Sequence, residues 1–287
     1  MTGLPVSTHG LVHIYHSEGH DVAALSGVDL DVRASEFVGL LGPSGAGKST
    51  LLSLLGGLFR PSAGKIRIGT SELSTVTSKE LDDLRAREIS LMLQGASRNL
   101  LPYYTPRQNV MFAQVAARNA GKTLPDPTEV LVDVGLEAEA DRPLASLTPG
   151  HLQLAAVAVA VASHPGVLLA DEPTSQLDHD ARDTVLETIG HVNRTLGTTV
   201  VLVTHDPDVA AALPRTVTIR DGRVGGEEYS VVTADAFLPL PAHAREDLPP
   251  GTLVRFHLSD DGVYSLLRED RPADDGEGRH RKREEDR

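Results

Sequence analysis

Read for the spacing of its apolar positions, the chain divides into short apolar runs separated by helical patterns. Residues 11–32 alternate apolar and polar positions, which predicts strands broken by a polar turn at residues 17–21. Residues 37–41, FVGLL, are apolar throughout. They run into a glycine-rich turn, after which residues 49–58 carry the spacing of a helix. Residues 60–74 hold proline, glycine and the alternating run KIRIG, the pattern of a hairpin. From 78 to 163 the pattern is mostly helical, with breaks at Pro102, Pro106, Pro125, Pro127 and Pro143. An apolar strand follows at 167–170, bounded by Pro165 and Asp171, then a helix over 179–196 and a buried-type strand over 199–204. Wholly apolar strands alternating with helices predict a parallel α/β sheet, with the middle helical stretch inserted into it.

The pattern changes from Tyr229 onward. Residues 231–240, 252–257 and 263–267 read as strands around a polar piece that contains Pro249 and Pro250. Together they predict a small β unit over 229–268. Residues 269–287 are almost all charged or small, too polar to pack, and predict a disordered tail. The expected organisation is a main domain over 1–228, with its helical part at about 78–163, then the β unit and the tail.

Composition narrows the function classes. At 287 residues the chain allows one large domain, or one domain plus an appendage. Hydrophobic residues are 40% and aromatics 3%, so Leu, Val, Ala and Ile must build the core. There is no cysteine, hence no disulfide and no thiolate metal site. A net charge of −13 speaks against nucleic acid as a partner. The longest apolar run away from charge, residues 152–162, is well short of the ~20 residues a bilayer helix needs. The N-terminus lacks a basic start and an apolar signal core. The expectation is a soluble, cytoplasmic chain; any membrane span would come from another subunit.

Two motifs carry the chemistry. Gly42-Pro43-Ser44-Gly45-Ala46-Gly47-Lys48-Ser49 fits GxxxxGK[ST] in full, between an apolar strand and a helix. Glycines let backbone N–H groups turn inward around a phosphate, and the helix start points its positive dipole end at the anion. Lys48 is placed to reach the β- and γ-phosphates of a nucleotide, and the Ser49 hydroxyl to ligate Mg²⁺. A plain glycine-rich turn is the competing reading, and the match together with its context disfavours it. The second motif is the strand VLLA followed by Asp171-Glu172-Pro173. Asp171 would hold Mg²⁺ through water, and Glu172 would polarise an attacking water. By itself such a pair is as often a helix-capping or solvated pair; after a full phosphate loop the catalytic reading gains.

At these residues the chain resembles the ABC ATPase family, and further positions match it in order over 11–221. Gln94, after ISLML, fits the glutamine that binds Mg²⁺ or water and couples to a membrane partner. Ser175-Gln176-Leu177-Asp178 fits the D-loop. His205, in VTHD, fits the switch histidine at the γ-phosphate, where a lone histidine would more often be structural. Tyr15 fits the ring that stacks on adenine, against the plainer reading of a half-buried strand tyrosine. Thr50 completes the expected ATP-binding set. The stretches DVAALSGVDLDV, KSTLLSLLGGL and NLLPYYTPRQNV resemble the subgroup that powers lipoprotein-release and macrolide-export permeases.

One family element departs from its pattern. Where LSGGQ is expected, the chain has Leu147-Thr148-Pro149-Gly150-His151, followed by Leu152, Leu154 and Val159 in place of polar and basic residues. Pro149 removes a backbone N–H. The same residues make a good helix start, because Thr caps and Pro suits the first position. The helix is therefore expected to form, with a weakened grip on the γ-phosphate.

The resemblance implies an α/β fold: a RecA-like P-loop core, the ABC helical subdomain and a small C-terminal β appendage. It implies ATP hydrolysis with Mg²⁺ and a head-to-tail dimer with a second ABC ATPase, the same chain or another. It also implies an integral-membrane permease partner that holds this chain at the inner face of the cell membrane. Tyr103 and Tyr104 fall where the family faces that permease, although adjacent tyrosines also occur with one in the core and one exposed. The unit from 229 resembles an AbrB-type swapped hairpin, through LPLP, RED-L and PPG. That suggests dimerisation or docking, against a β appendage with no partner; its excess of acid argues against DNA. A soluble ABC protein of DNA repair or translation would carry two cassettes, a coiled-coil insertion or basic patches, and none is visible. The alternative is a regulatory ABC ATPase that pairs with another ATPase or signals through a membrane partner. Loss of Glu172 or His205 would mark it, and both are present.

Overall fold

The computed structural model describes residues 3–17, 20–224, 248–249, 252–258 and 264–268. Two units separate at Met1–Leu238 and Pro239–Arg287.

The first unit contains two sheets. An antiparallel sheet has the order β2-β1-β4-β5, from β1 (Val6–Ser17), β2 (His20–Val32), β4 (Ala63–Ile68) and β5 (Ser71–Glu72). Val6 pairs with both Val32 and Ile68, so the strands expected at 11–32 begin earlier and close onto the KIRIG segment. β4 and β5 form the expected hairpin, with Ile68 opposite Ser71. The second sheet has the order β10-β9-β3-β8-β7-β6. It comprises β3 (Phe37–Leu41), β6 (Ile89–Met92), β7 (Val167–Asp171), β8 (Thr199–Val203), β9 (Arg215–Arg220) and β10 (Arg223–Val224). All neighbours are parallel except the β9–β10 hairpin.

Burial on both faces explains the wholly apolar strands. Leu168, Ala170, Val200 and Leu202 pack into one core, whereas Val167, Leu169, Val201 and Val203 pack into another. This is the period-two alternation of a strand with two buried faces. The first core lies against α3 (Pro106–Asn119), α4 (Pro127–Asp133), α5 (Pro149–Val161) and α6 (His179–Leu196). The second holds α1 (Lys48–Leu55) together with side chains of the antiparallel sheet. α2 (Ser78–Arg87) and α7 (Pro207–Ala212) are the remaining α-helices among the described residues of this unit.

Two sequence expectations are refined here. β6 lies inside the stretch read as mostly helical and pairs in parallel with β7, Met92 opposite Ala170. At four residues it is too short for periodicity to separate it from a helix turn. The prolines read as breaks are partly helix starts. Pro106 and Pro127 sit at first positions behind capping boxes of Thr105 with Gln108 and Asp126 with Glu129.

In the second unit β11 (Val254–Leu258) and β12 (Tyr264–Arg268) form an antiparallel pair, Phe256 opposite Leu266. These correspond to two of the three expected strands. The strand at 231–240, the boundary at 228, most of the hairpin resemblance and the tail at 269–287 lie outside the described residues. Among the described residues, no helix is long and apolar enough to cross a membrane.

Candidate functional site

The register of the parallel sheet brings three chain ends together. Leu40 of β3 and Asp171 of β7 both stand opposite Val203 of β8. The phosphate loop, the Asp171-Glu172 pair and His205 thus leave the sheet from its carboxyl edge, where ligands of open α/β sheets bind.

The loop demands glycine at two places. A Cβ on Gly42, at φ 147°, would lie 2.0 Å from the Ile219 carbonyl oxygen. One on Gly47, at φ 95°, would lie 2.4 Å from that of Ala24. Gly47 is the N-cap of α1, which has no side-chain cap and no acidic residue in its first turn. Its leading N–H groups and dipole are therefore left for an anion. Lys48 is buried and curls back over the loop, with Nζ donating to the Gly42 oxygen at 2.7 Å and to that of Pro43 at 2.8 Å. Burial pushes its pKa down, and the charges of Glu172 and Asp171 oppose the shift.

The carboxylates are held differently. Ser49 Oγ donates to Asp171 Oδ1 at 3.2 Å. Burial pushes the Asp171 carboxyl up, partly offset by that hydrogen bond, and the Glu172 charge pushes it further. Glu172 adopts φ 46°, unusual for a side-chain-bearing residue, with its N–H on the Val203 oxygen at 3.0 Å. Gln94 Nε2 donates to Glu172 Oε2 at 2.8 Å, and His205 Nδ1 lies 2.7 Å from Oε1. Residues far apart in sequence thus grip both oxygens of one carboxylate.

This donor set fits Mg²⁺. Ser49, Asp171 and the amide oxygen of Gln94 are hard oxygen donors. No group of three or more His, Cys, Asp or Glu able to hold a metal occurs among the described residues. Such a site suits an ion that takes its remaining ligands from phosphate and water.

A cavity of about 640 Å³ joins these groups, lined by Ser44, Gly45, Gly47, Lys48, Ser49, Thr50, Gln94, Glu172, His205 and Tyr15. That volume suits a nucleotide-sized ligand. Gly42, Pro43 and Ala46 shape the loop behind it; Ala46 is buried, and its oxygen accepts from the Gly222 N–H at 3.2 Å. Tyr15 is 40% exposed, and its hydroxyl is 3.3 Å from Thr50 Oγ1. Its ring stands edge-on to His13 and Phe59, with centroids at 4.7 and 6.3 Å. Sequence reasoning missed this support; the period-two spacing of His13 and Tyr15 was the available signal.

The other predicted residues lie apart. None of residues 147–151 lines the cavity. Thr148 caps α5 by accepting from the His151 N–H at 3.2 Å, with Pro149 at the first position. Gly150 rests on α6, where a Cβ would lie 3.0 Å from that of Ala181. Leu154 is buried in the helical core, and Leu152 and Val159 pack against it. Asp178 caps α6, its Oδ1 accepting from the Ala181 N–H at 2.8 Å.

Comparison with known proteins agrees with this geometry. The ABC transporter family profile matches residues 25–175. The lipoprotein-releasing system ATP-binding protein LolD of Anaeromyxobacter dehalogenans is 42% identical over 204 residues, covering 70% of this chain and 84% of LolD. The macrolide export ATP-binding/permease protein MacB of Rhodopirellula baltica is 36% identical over 222 residues, 76% of this chain and 32% of MacB. The dimeric post-hydrolysis state of the ATP-binding cassette MJ0796, bound to ADP and Pi, matches with a TM-score of 0.68 at 31% identity. It covers 78% of this chain and 97% of that one. A phosphate loop and Glu172 meeting in one cavity of this fold, with Asp171 bonded to Ser49 beside it, together with these matches, establish that the chain belongs to the ABC transporter ATP-binding family and is an ATP hydrolase.

Proposed function

We propose that this ATPase drives a separate integral-membrane permease from the inner face of the cell membrane, working as a head-to-tail dimer of cassettes. In each site, the loop N–H groups and Lys48 bind the β- and γ-phosphates, and Tyr15 stacks on the adenine. Ser49, Gln94 and Asp171 would hold Mg²⁺, which neutralises phosphate charge when bound. Glu172, gripped by Gln94 and His205, orients water and takes its proton, and His205 reaches the γ-phosphate. Asp178 lies on the loop that meets the opposite cassette, and residues 147–151 close on the opposite ATP.

The observation that carries the permease reading is the segment just beyond Gln94. The residue whose amide holds Glu172 lies in a stretch with several exposed apolar side chains. Tyr103 is 97% exposed and Phe112 58%, with Leu93, Leu101, Tyr104, Met111 and Val115 exposed around them. A groove of about 620 Å³ lies beside this stretch, walled by Leu58, Leu91, Leu93, Ala113 and Val159. An apolar surface rimmed by polar residues marks a protein partner. MacB, by its name, combines an ATP-binding part with a permease, which supports a membrane subunit as the occupant. Co-purification tests this: an integral-membrane protein should accompany the wild-type chain and be lost from a Tyr103→Asp/Phe112→Asp variant that still binds Mg-ATP. Equal recovery with the variant would contradict the docking surface.

A second reading concerns the dimer. Pro149 offers no N–H at the helix start that should meet the opposite ATP. This favours pairing with a different ATPase that carries a complete signature loop, which would confine the defect to one of the two sites.

A further inference from the structure

The helix that follows the loop leaving Glu172 and the segment bearing His205 are joined by a side chain to which the reaction described above gives no part. Arg182 lies near the start of α6 and is 14% exposed. Its Nε donates to Asp183 Oδ1 at 2.9 Å, and its Nη1 donates to Asp208 Oδ2 at 3.2 Å and reaches Asp206 Oδ2 at 3.5 Å. One guanidinium thus links α6, by way of Asp206 and Asp208, to the start of α7.

Asp206 directly follows His205. Its Oδ1 caps α7 by accepting from the Asp208 N–H at 2.9 Å, and its own N–H donates to Thr204 Oγ1 at 3.0 Å. Thr204 is buried, with its N–H on the Leu40 oxygen at 3.1 Å. The backbone is therefore pinned on both sides of His205. The imidazole itself is 60% exposed, and Glu172 is its one hydrogen-bond partner among the described residues. A cavity of about 410 Å³ borders it, with Glu172, Gln176, His179 and Arg182 also on its walls. With that space beside it, the imidazole depends on the Glu172 contact and on the backbone of residues 204–206 for its aim.

We propose that Arg182 is a positioning residue for His205: by tying α6 to Asp206 and Asp208, it holds the imidazole against Glu172. The inference rests on the reading of Glu172 and His205 as the reacting side chains of the ATP site. An ordinary ion-pair cluster at two helix starts would use the same contacts, but it would affect stability and leave turnover alone.

Steady-state hydrolysis and ATP-binding measurements on the full chain separate the two. Arg182→Ala should lower kcat about tenfold, the scale of a slightly misplaced reacting group, with the ATP dissociation constant unchanged. Arg182→Lys should recover part of the loss, since an ammonium cannot bridge several carboxylates as a guanidinium does. In a His205→Ala background, Arg182→Ala should add no further loss, because the two changes act through one group. An unchanged kcat, a further fall in the His205→Ala background, or a fall matched by equal loss of ATP binding and thermal stability would overturn the proposal. A wild-type chain that binds no ATP would overturn the underlying reading instead, and this inference with it.

Discussion

At the carboxyl edge of the parallel sheet, Lys48, Ser49, Gln94, Glu172 and His205 meet in one cavity; at the start of α5, Thr148, Pro149 and His151 lie outside it. The first region is held by polar contacts specific to residue type. Glu172 is gripped at 2.8 and 2.7 Å by Gln94 and His205, and Ser49 reaches Asp171 at 3.2 Å. The second is held by helix capping and apolar packing, which Thr148, Pro149 and Leu154 provide as well as any helix start could. Folding constrains Leu147, which is buried, and Gly150, which lies close against Ala181, but its demands at 148, 149 and 151 are met by any good helix start. The family's residues at 148, 149 and 151 can therefore change while α5 still forms.

The largest expected effect lies at the intact region. Glu172→Gln should lower turnover by about 10²–10⁴, the usual share of a general base, while ATP binding persists; rapid-quench hydrolysis and equilibrium binding report the two separately. Next is Lys48→Ala, which removes a buried ammonium from the phosphates. ATP affinity should weaken about 10–100-fold, as for a lost charge-assisted hydrogen bond, by calorimetric titration.

A smaller change of opposite sign is expected at the damaged region. Pro149→Gly with His151→Gln restores an N–H and an amide at the head of α5, and turnover should rise about tenfold without a gain in Tm. Tyr15→Ala should raise KM for ATP about fivefold, the value of one aromatic contact, leaving kcat near wild type.

The smallest effect concerns pH. Burial raises the Asp171 carboxyl above its usual 3.8. A raised value means the folded chain binds the proton more tightly than the unfolded one. Its ionisation therefore costs nothing below 3.8, costs increasing stability as the pH rises from there to the folded value, and costs a constant amount above it. Asp171→Asn should raise the Tm of the nucleotide-free chain at neutral pH, and the gain should shrink as the pH falls toward 3.8.

The same contrast explains how much was legible in the sequence. β3, β7, α6 and β8 were readable because a doubly covered parallel sheet makes its strands wholly apolar. The phosphate loop was readable because the close approaches at Gly42 and Gly47 admit no other residue. β6 escaped because four residues carry no period. The register joining Val6 to both Val32 and Ile68 escaped because pairing over that distance leaves no local mark. The support of Tyr15 by His13 and Phe59, and the Arg182 link to Asp206, are tertiary contacts between elements.

The central claim is that one chain carries a competent phosphate-loop site and a deficient signature loop. Complementation measures this directly. Wild-type chain is mixed with a Glu172→Gln/Pro149→Gly/His151→Gln variant, whose own site is dead but whose signature loop is restored, and ATP turnover is followed across the mixing ratio. Turnover that peaks in the mixture, above either protein alone, is the expected result, because only the mixed dimer joins an intact Glu172 to a complete signature. Turnover that falls in simple proportion to the wild-type fraction would contradict it.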